Sequence, residues 1–111
     1  MSRYFEMQIA ISNFRPARKK KIVAACLREW NFGKFHEGKK DGKDVLWSVG
    51  ESVLCGGESE DEFAERLAGE VWKANGAFCR VEVTATYLED MPCEVHVKDK
   101  VDYEEWLTTA A

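Results

Sequence analysis

The spacing of apolar residues changes from every second residue to every third or fourth residue twice along this chain. Residues 4–12 alternate between apolar and polar side chains, which is typical of a half-buried strand. Residues 16–30 then carry an apolar stripe at helical spacing, and Pro16 suits the first turn of a helix, where its missing N–H costs no hydrogen bond. The sequence therefore predicts a strand followed by a helix.

The Asp41-Gly42 pair marks a hairpin. It separates residues 34–40 from residues 43–54, and Asp-Gly between two such segments favours the tight turn that joins antiparallel strands. Trp47 alternates with Val45 and Val49 in the second arm. We interpret Trp47 as a core residue rather than an exposed stacking platform.

A second helix and a further strand follow the hairpin. Ser59 and Glu62 have the spacing of a capping box. The helix that they begin is predicted to end at Asn75-Gly76, because this pair favours a left-handed stop. Residues 78–88 alternate again and predict a strand, with Cys79 on the same side as its apolar residues.

The order of these elements, β-α-β-β-α-β, predicts the fold class. We expect an α+β protein in which an antiparallel ferredoxin-like sheet is covered on one face by two helices. A chain of 111 residues, 45% of them hydrophobic, fills one core. Residues 1–111 are therefore predicted to form a single domain, with a core at about 3–90 and a short C-terminal extension at 91–111. The fold alone predicts no activity.

The C-terminal extension carries its own predictions. Residues 93–98 predict a short fifth strand, and Asp102 with Glu105 is expected to cap a brief final turn. The apolar side chains of this turn either cover the chain's own sheet or form an interface for a partner or a second copy. The candidate interface residues are Tyr103, Trp106 and Leu107.

Charge is sorted along the chain. Residues 1–43 carry eleven Lys and Arg against four acids, a local charge of +7, and residues 44–111 carry five against sixteen, or −11. In the predicted topology the start of the first helix and the hairpin tip lie at one end of the sheet. The acidic start of the second helix lies at the other end, together with Glu89 and Asp90. We therefore predict a basic pole and an acidic pole.

The basic pole has no local structural explanation. Bases at the start of the first helix oppose the helix dipole, which favours acids there. Three interpretations are open: a solvated surface with compensating acids elsewhere, a contact with an acidic protein surface such as that of a second copy, and a contact with nucleic-acid phosphates. The candidate anion- or partner-binding residues are Arg15, Arg18, Lys19, Lys20, Lys21, Lys39, Lys40 and Lys43.

Several kinds of chemistry lack a sequence signature. Cys26, Cys55, Cys79 and Cys93 include no closely spaced pair, so we expect buried reduced thiols and neither a metal site nor a cofactor. No nucleophile motif is present, and we expect no catalysis. A pocket that holds His36 or His96 against a carboxylate would revive the enzyme hypothesis.

RNA binding on the sheet face is also disfavoured. Tyr4 is the one aromatic residue expected on the outer side of the two central strands, and Glu6 and Glu82 would meet the phosphates there. Contact with nucleic acid through the basic pole remains open, and it would be largely independent of sequence and sensitive to salt.

The function that we predict is a small non-catalytic protein-interaction domain that acts as an adaptor, regulator or inhibitor. The alternative is a nucleic-acid-binding protein that contacts phosphates through the basic pole. The partner is expected to be another protein or a second copy of the chain. No apolar segment approaches the length of a membrane span, and residues 1–6 do not resemble a signal peptide. We therefore expect a cytoplasmic protein without membrane contact.

Overall fold

The computed structural model describes residues 3–54, 57–88 and 93–110. Within these ranges the chain forms five strands and three helices, which confirms the α+β class. A short 3-10 helix, Pro16–Arg18, precedes the first α-helix. The strands are β1 (Arg3–Ser12), β2 (His36–Lys40), β3 (Lys43–Leu54), β4 (Arg80–Tyr87) and β5 (Cys93–Lys98). The helices are α1 (Lys19–Glu29), α2 (Glu60–Asn75) and α3 (Lys100–Ala110).

The five strands form one antiparallel sheet in the order β2-β3-β1-β4-β5. The central strand β1 pairs with β3 from Arg3 opposite Leu54 to Ser12 opposite Val45. The helix count and the strand order differ from those of a four-stranded ferredoxin-like sandwich with two helices. The structure therefore supports the α+β class and not that finer prediction.

The core lies between one face of the sheet and the helices. Alternate residues of β1 and β4 point into it, and α1 and α2 supply the opposite side. Phe63 of α2 meets Trp30 edge to face, with 5.0 Å between ring centroids. Burying a large apolar side chain contributes about 1.5–3 kcal/mol relative to leaving it exposed. The largest fully buried apolar side chains include Met7, Ile9, Ile11, Ile22, Leu46, Phe63, Leu67, Val71, Val81 and Val83.

The predicted hairpin and the caps of α2 are confirmed. Asp41 and Gly42 adopt φ angles of 54° and 77°, the left-handed conformation that a two-residue hairpin turn requires. The Ser59 hydroxyl accepts a hydrogen bond from the Glu62 N–H, and the Glu62 carboxylate accepts one from the Ser59 N–H, both at 3.1 Å. Gly76 ends α2 with φ of 75°.

The segment that follows α1 crosses the inner side of β3 at very short range. A Cβ atom at Gly50 would lie 2.0 Å from the backbone oxygen of Asn31. The Trp30 indole N–H donates to the Gly50 carbonyl at 2.9 Å, and the Ser48 hydroxyl donates to the Gly33 carbonyl at 2.9 Å. The inner positions of this part of β3 are small because backbone, rather than side chains, fills the space beneath them.

Trp47 lies on the outer side of β3, and its assignment to the core is wrong. Leu46 and Ser48 point inward, whereas Trp47 is 37% exposed. Its ring stacks on His36 of β2 with 4.5 Å between centroids. Trp47 does share one side of β3 with its apolar neighbours, as predicted. That side faces outward, however, and no described helix covers it.

The C-terminal extension ends in an eleven-residue helix rather than a brief turn. Its cap is Asp99 and not Asp102: the Asp99 carboxylate accepts the Val101 N–H at 3.1 Å, and the Asp102 carboxylate accepts the Asp99 N–H at 3.0 Å. The Asp102 N–H also donates to the Asp99 carboxylate at 3.3 Å, and this bond is the leading cause of the lowered pKa of Asp99. Asp99, which lies three residues before the predicted cap Asp102, is thus the N-cap residue of α3.

Candidate functional site: the open face of the sheet

One face of the sheet is covered by none of the described helices. We refer to the outward-pointing residues of the five strands as the open face. Nine large hydrophobic side chains are exposed in the described residues, and six of them lie on this face. Single exposed apolar residues are ordinary, whereas their concentration on one surface is typical of an interaction site. The six are Tyr4, Trp47, Val49, Val53, Val95 and Val97.

Trp47 lies near the middle of the open face. It pairs with Ala10 on one side and with His36 on the other. A groove of about 490 Å³ lies beside its indole ring. Ala10 and Gly38 leave space beside the ring, and Trp47 is partly exposed. The groove is lined by Gln8, Ala10, Gly38, Lys39, Lys40, Val45, Trp47, Glu82 and Thr84.

The two ends of the open face carry opposite charge. Glu6 and Glu51 are directly opposite each other on β1 and β3, and Lys40 and Lys43 are directly opposite each other on β2 and β3. Like charges in such cross-strand pairs are destabilising. None of these four side chains forms an ion pair with any side chain that the structure describes. Both like-charge pairs therefore work against the isolated fold.

The bases that precede α1 have a tertiary explanation that the sequence did not reveal. The Arg15 and Arg18 side chains lie beside Gly76, where a Cβ atom would be 3.8 Å and 3.9 Å from their guanidinium atoms. The Arg15 N–H also donates to the Asn75 side-chain oxygen at 2.8 Å. The carbonyl end of a helix is negative and favours cations. These two arginines thus complement the end of α2 rather than the start of their own helix.

The other predicted basic residues are exposed or half-buried around the same end of the sheet. Lys19 forms an ion pair with Glu37 of β2 at 2.8 Å. Lys40 and Lys43 at the hairpin tip share a shallow pocket with Arg80 of β4. Sequence reasoning missed Arg80, although its place at the start of a strand antiparallel to β1 could have indicated it. Exposed positions are occupied by Lys20, Lys21 and Lys39.

The opposite end contains acids that are partly neutralised. Arg66 of α2 contacts the carboxylates of Glu29 and Glu58, the latter at 2.9 Å. The hydrogen bond with Glu58 is the leading cause of the raised pKa of Arg66. Glu89 and Asp90, which were predicted to join this end, lie outside the described residues. The acids that begin α2 therefore act partly as structural ion-pair partners.

His96 lies between two carboxylates on the inner side of β5. Its Nδ1 is 3.3 Å from Asp61 and its Nε2 is 3.4 Å from Glu94. The Lys98 ammonium, on a residue only 7% exposed, donates to Asp61 at 2.8 Å. This hydrogen bond is the main cause of the lowered pKa of Asp61. The carboxylate of Asp61 thus remains ionised as the partner of a buried lysine.

The described cysteines are free thiols. Cys26 and Cys79 are buried, as predicted, and burial raises the pKa of each to about 12. Cys93 is exposed, so the expectation of a buried thiol is wrong for this residue, and Cys55 lies outside the described residues. Within the part of the chain that the structure describes, no group of three or more His, Cys, Asp or Glu side chains has the arrangement of a metal site.

Two of the three candidate interface residues in the extension contact the chain itself. Tyr103 and Trp106 of α3 pack against Trp72 of α2, with ring centroids 5.2 Å and 5.5 Å away. Trp106 also occupies the space above Gly69, where a Cβ atom would lie 2.7 Å from its indole nitrogen. Leu107 is 45% exposed. A role for these residues in a partner interface stays a prediction.

Comparisons with known proteins leave the family of this chain open. No protein-family description matches it, and no curated protein matches it. A de novo designed protein, Foldit4, has a similar structure, with a TM-score of 0.47 and 22% sequence identity over 75% of this chain and 96% of that chain. None of the helices in the described ranges is both long and apolar enough to cross a membrane.

Proposed function

We propose that this chain is a small non-catalytic protein-interaction domain that binds its partner through the open face. The concentration of six of the nine exposed large hydrophobic side chains on this face is the observation that carries the proposal. The finer fold assignment is part of it: the first four strands with α1 and α2 form a ferredoxin-like core, to which β5 and α3 are added. We also propose a reducing, cytoplasmic location, in which buried thiols such as those of Cys26 and Cys79 stay reduced.

The energetics of the open face support binding rather than folding. Apolar surface that stays in water gains nothing from folding, while burying it against a partner contributes about 25 cal/mol per Å². The two like-charge pairs at the ends of the face also cost stability in the isolated chain. A partner that covers the valines and supplies opposite charges would relieve both costs.

The histidines support a structural rather than a catalytic role. His36 is stacked on Trp47, and His96 contacts an Asp61 carboxylate that already holds Lys98. His96 Nε2 has no hydrogen-bond partner among the described residues, but it is buried, and a general base must face a substrate. Neither His36 nor His96 lines the 490 Å³ groove of the open face.

Capture from cell extract tests the proposal. Immobilised wild-type chain is compared with Trp47→Glu, which places a charge at the middle of the open face, and with Leu27→Glu, a matched change at an exposed leucine of α1. We expect the wild type and the Leu27 variant to retain the same proteins, including untagged copies of the chain, and the Trp47 variant to lose them. Equal retention by all three folded proteins would contradict the proposal.

A second candidate function is sequence-independent binding of nucleic acid through the basic pole. Its support is the cluster of Lys40, Lys43 and Arg80 around one shallow pocket. Titration with generic DNA and RNA at low and high salt tests it, because phosphate contacts release counterions and weaken steeply with salt. We expect charge reversal at Lys20 and Lys40 to weaken such binding; absence of binding at low salt would eliminate this function.

A further inference from the structure

We propose that the partner of the open face is a second copy of this chain, packed face to face with its strands antiparallel to those of the first. This inference deepens the proposed function and rests on it. It names one occupant for the face and one arrangement, both of which follow from the positions of Trp47 and of the two like-charge pairs.

The charges of the open face are spaced symmetrically about Trp47. On β3, Lys43 lies four residues before Trp47 and Glu51 lies four residues after it. All three point outward, because side chains that are separated by an even number of residues share one face of a strand. At about 3.3 Å per residue, the basic and the acidic ends each lie about 13 Å from the indole.

Twofold symmetry then selects one arrangement. A twofold axis that relates two stacked faces lies in the plane between them, either along the strands or across them. An axis along the strands would place lysines on lysines and glutamates on glutamates. An axis across the strands at Trp47 instead places Lys43 of each copy over Glu51 of the other, with Lys40 and Glu6 alongside. The charges at the two ends of β3 therefore favour antiparallel stacking. Glu82, which is level with Trp47, lies over its own copy in this arrangement and has Arg80 as its ion-pair partner.

The centre of the open face has room to pack against the same surface of a second copy. The groove beside Trp47 is bordered by Ala10, which has only a methyl side chain, and by Gly38, which has none, so there is space around the indole for a second one. A Cβ atom at Gly38 would have no neighbour within 4 Å. Sheets stack about 10 Å apart with strand directions within about 30°. With the axis at Trp47, the two Trp47 side chains therefore meet each other at the axis, and Val45 of each copy lies over Val49 of the other.

The size of the face sets the expected affinity. Five strands about 4.8 Å apart and about 26 Å of strand length give a footprint of at most roughly 500 Å² per copy, because the edge strands β2 and β5 are shorter. This is smaller than the roughly 800 Å² per partner of a standard interface. We expect a reversible dimer with a dissociation constant in the micromolar range.

Sedimentation of the purified chain from about 1 µM to about 1 mM tests the second copy as partner. We expect the mass to rise from monomer to dimer for the wild type and for Leu27→Glu, and Trp47→Glu to stay monomeric. A dimer that is unaffected by Trp47→Glu would place the contact elsewhere and overturn the inference. A wild-type monomer throughout, combined with Trp47-dependent capture of another protein, would overturn the second copy and leave the proposed function standing. If neither capture from cell extract nor sedimentation shows a complex that depends on Trp47, both the proposed function and the second copy as partner are overturned.

A charge exchange tests the antiparallel arrangement. Glu51→Lys makes both ends of β3 basic, and Lys43→Glu makes both ends acidic, so each variant alone should dimerise at least about tenfold more weakly. A mixture of the two variants aligns opposite charges at both ends, and we expect a heterodimer of wild-type affinity. The double variant that carries both changes should also dimerise. If the mixture dimerises no more tightly than either variant alone, the antiparallel arrangement is wrong. This holds even if the single variants are less stable than the wild type, because the comparison is between the mixture and its own components.

Discussion

The two faces of this sheet are built from the same strands but have opposite chemistry. The covered face is closed so tightly that backbone replaces side chains beneath Gly50, and a lysine reaches its carboxylate at the edge. The open face has exposed valines, a stacked tryptophan and like-charge pairs that no ion pair with a described side chain relieves. The covered face is thus optimised for folding, whereas the open face retains features that lower the stability of the isolated chain and suit association.

The largest difference between the faces is expected for a single added methyl group. Gly50→Ala would place its Cβ atom against the Asn31 backbone, which cannot move without displacing the segment that follows α1. We expect a loss of about 3 kcal/mol or more in the free energy of unfolding. Gly38→Ala on the open face meets nothing, and its effect should stay within about 0.5 kcal/mol. Urea unfolding of both variants measures the contrast, and equal losses would contradict it.

A smaller effect is expected at the edge of the covered face. Asp61→Asn leaves the buried Lys98 ammonium without its charged partner, and we expect a loss of about 1–2 kcal/mol at pH 7. The matched control is Glu65→Gln on the exposed side of α2, which should cost less than about 0.5 kcal/mol.

The loss of unfolding free energy in Asp61→Asn is expected to depend on pH. Because the folded-state pKa of Asp61 lies below its ordinary value near 4, its stabilising contribution is present above about pH 4 and is lost as the pH falls through the folded-state value. Urea unfolding at pH 7 and pH 3 should therefore show the difference between wild type and Asp61→Asn shrinking in acid. A difference independent of pH would show that the carboxylate charge is not the cause.

The smallest effect is a gain in stability. Glu51→Gln removes one member of the like-charge pair with Glu6 on the open face, and we expect the unfolding free energy of the monomer to rise by about 0.2–0.5 kcal/mol at low salt. Glu105→Gln on α3 removes the same charge away from that pair and should change less. Dilute samples keep dimerisation out of the comparison, and a loss of stability in Glu51→Gln would contradict our description of the open face.

Local patterns were sufficient to predict most of the secondary structure. The hairpin at Asp41-Gly42, the capping box at Ser59 and the fifth strand at residues 93–98 all depend on neighbours within a few residues, and each is confirmed. The final helix was underestimated because Asp99 and Asp102 offer two competing caps with similar spacing. Choosing between them requires the docking of the whole helix.

The candidate site was harder to predict because its causes are not local. The outward direction of Trp47 follows from the segment that passes beneath Gly50, and no property of β3 alone reveals that segment. The bases before α1 are explained by their contact with the carbonyl end of α2, which is distant in sequence. The charge pattern was visible in the sequence, but the open face required the register of β1 with β3.

The packing of Trp106 above Gly69 has a consequence for which part of the molecule unfolds locally first. Within the described residues, α3 meets the rest of the protein mainly through Tyr103 and Trp106, and its remaining apolar side chains, Val101 and Leu107, are exposed. Few buried contacts mean a low free energy of local opening. The amides of α3 should therefore exchange with deuterated solvent as one cooperative unit, long before those of the central strand β1 lose their protection.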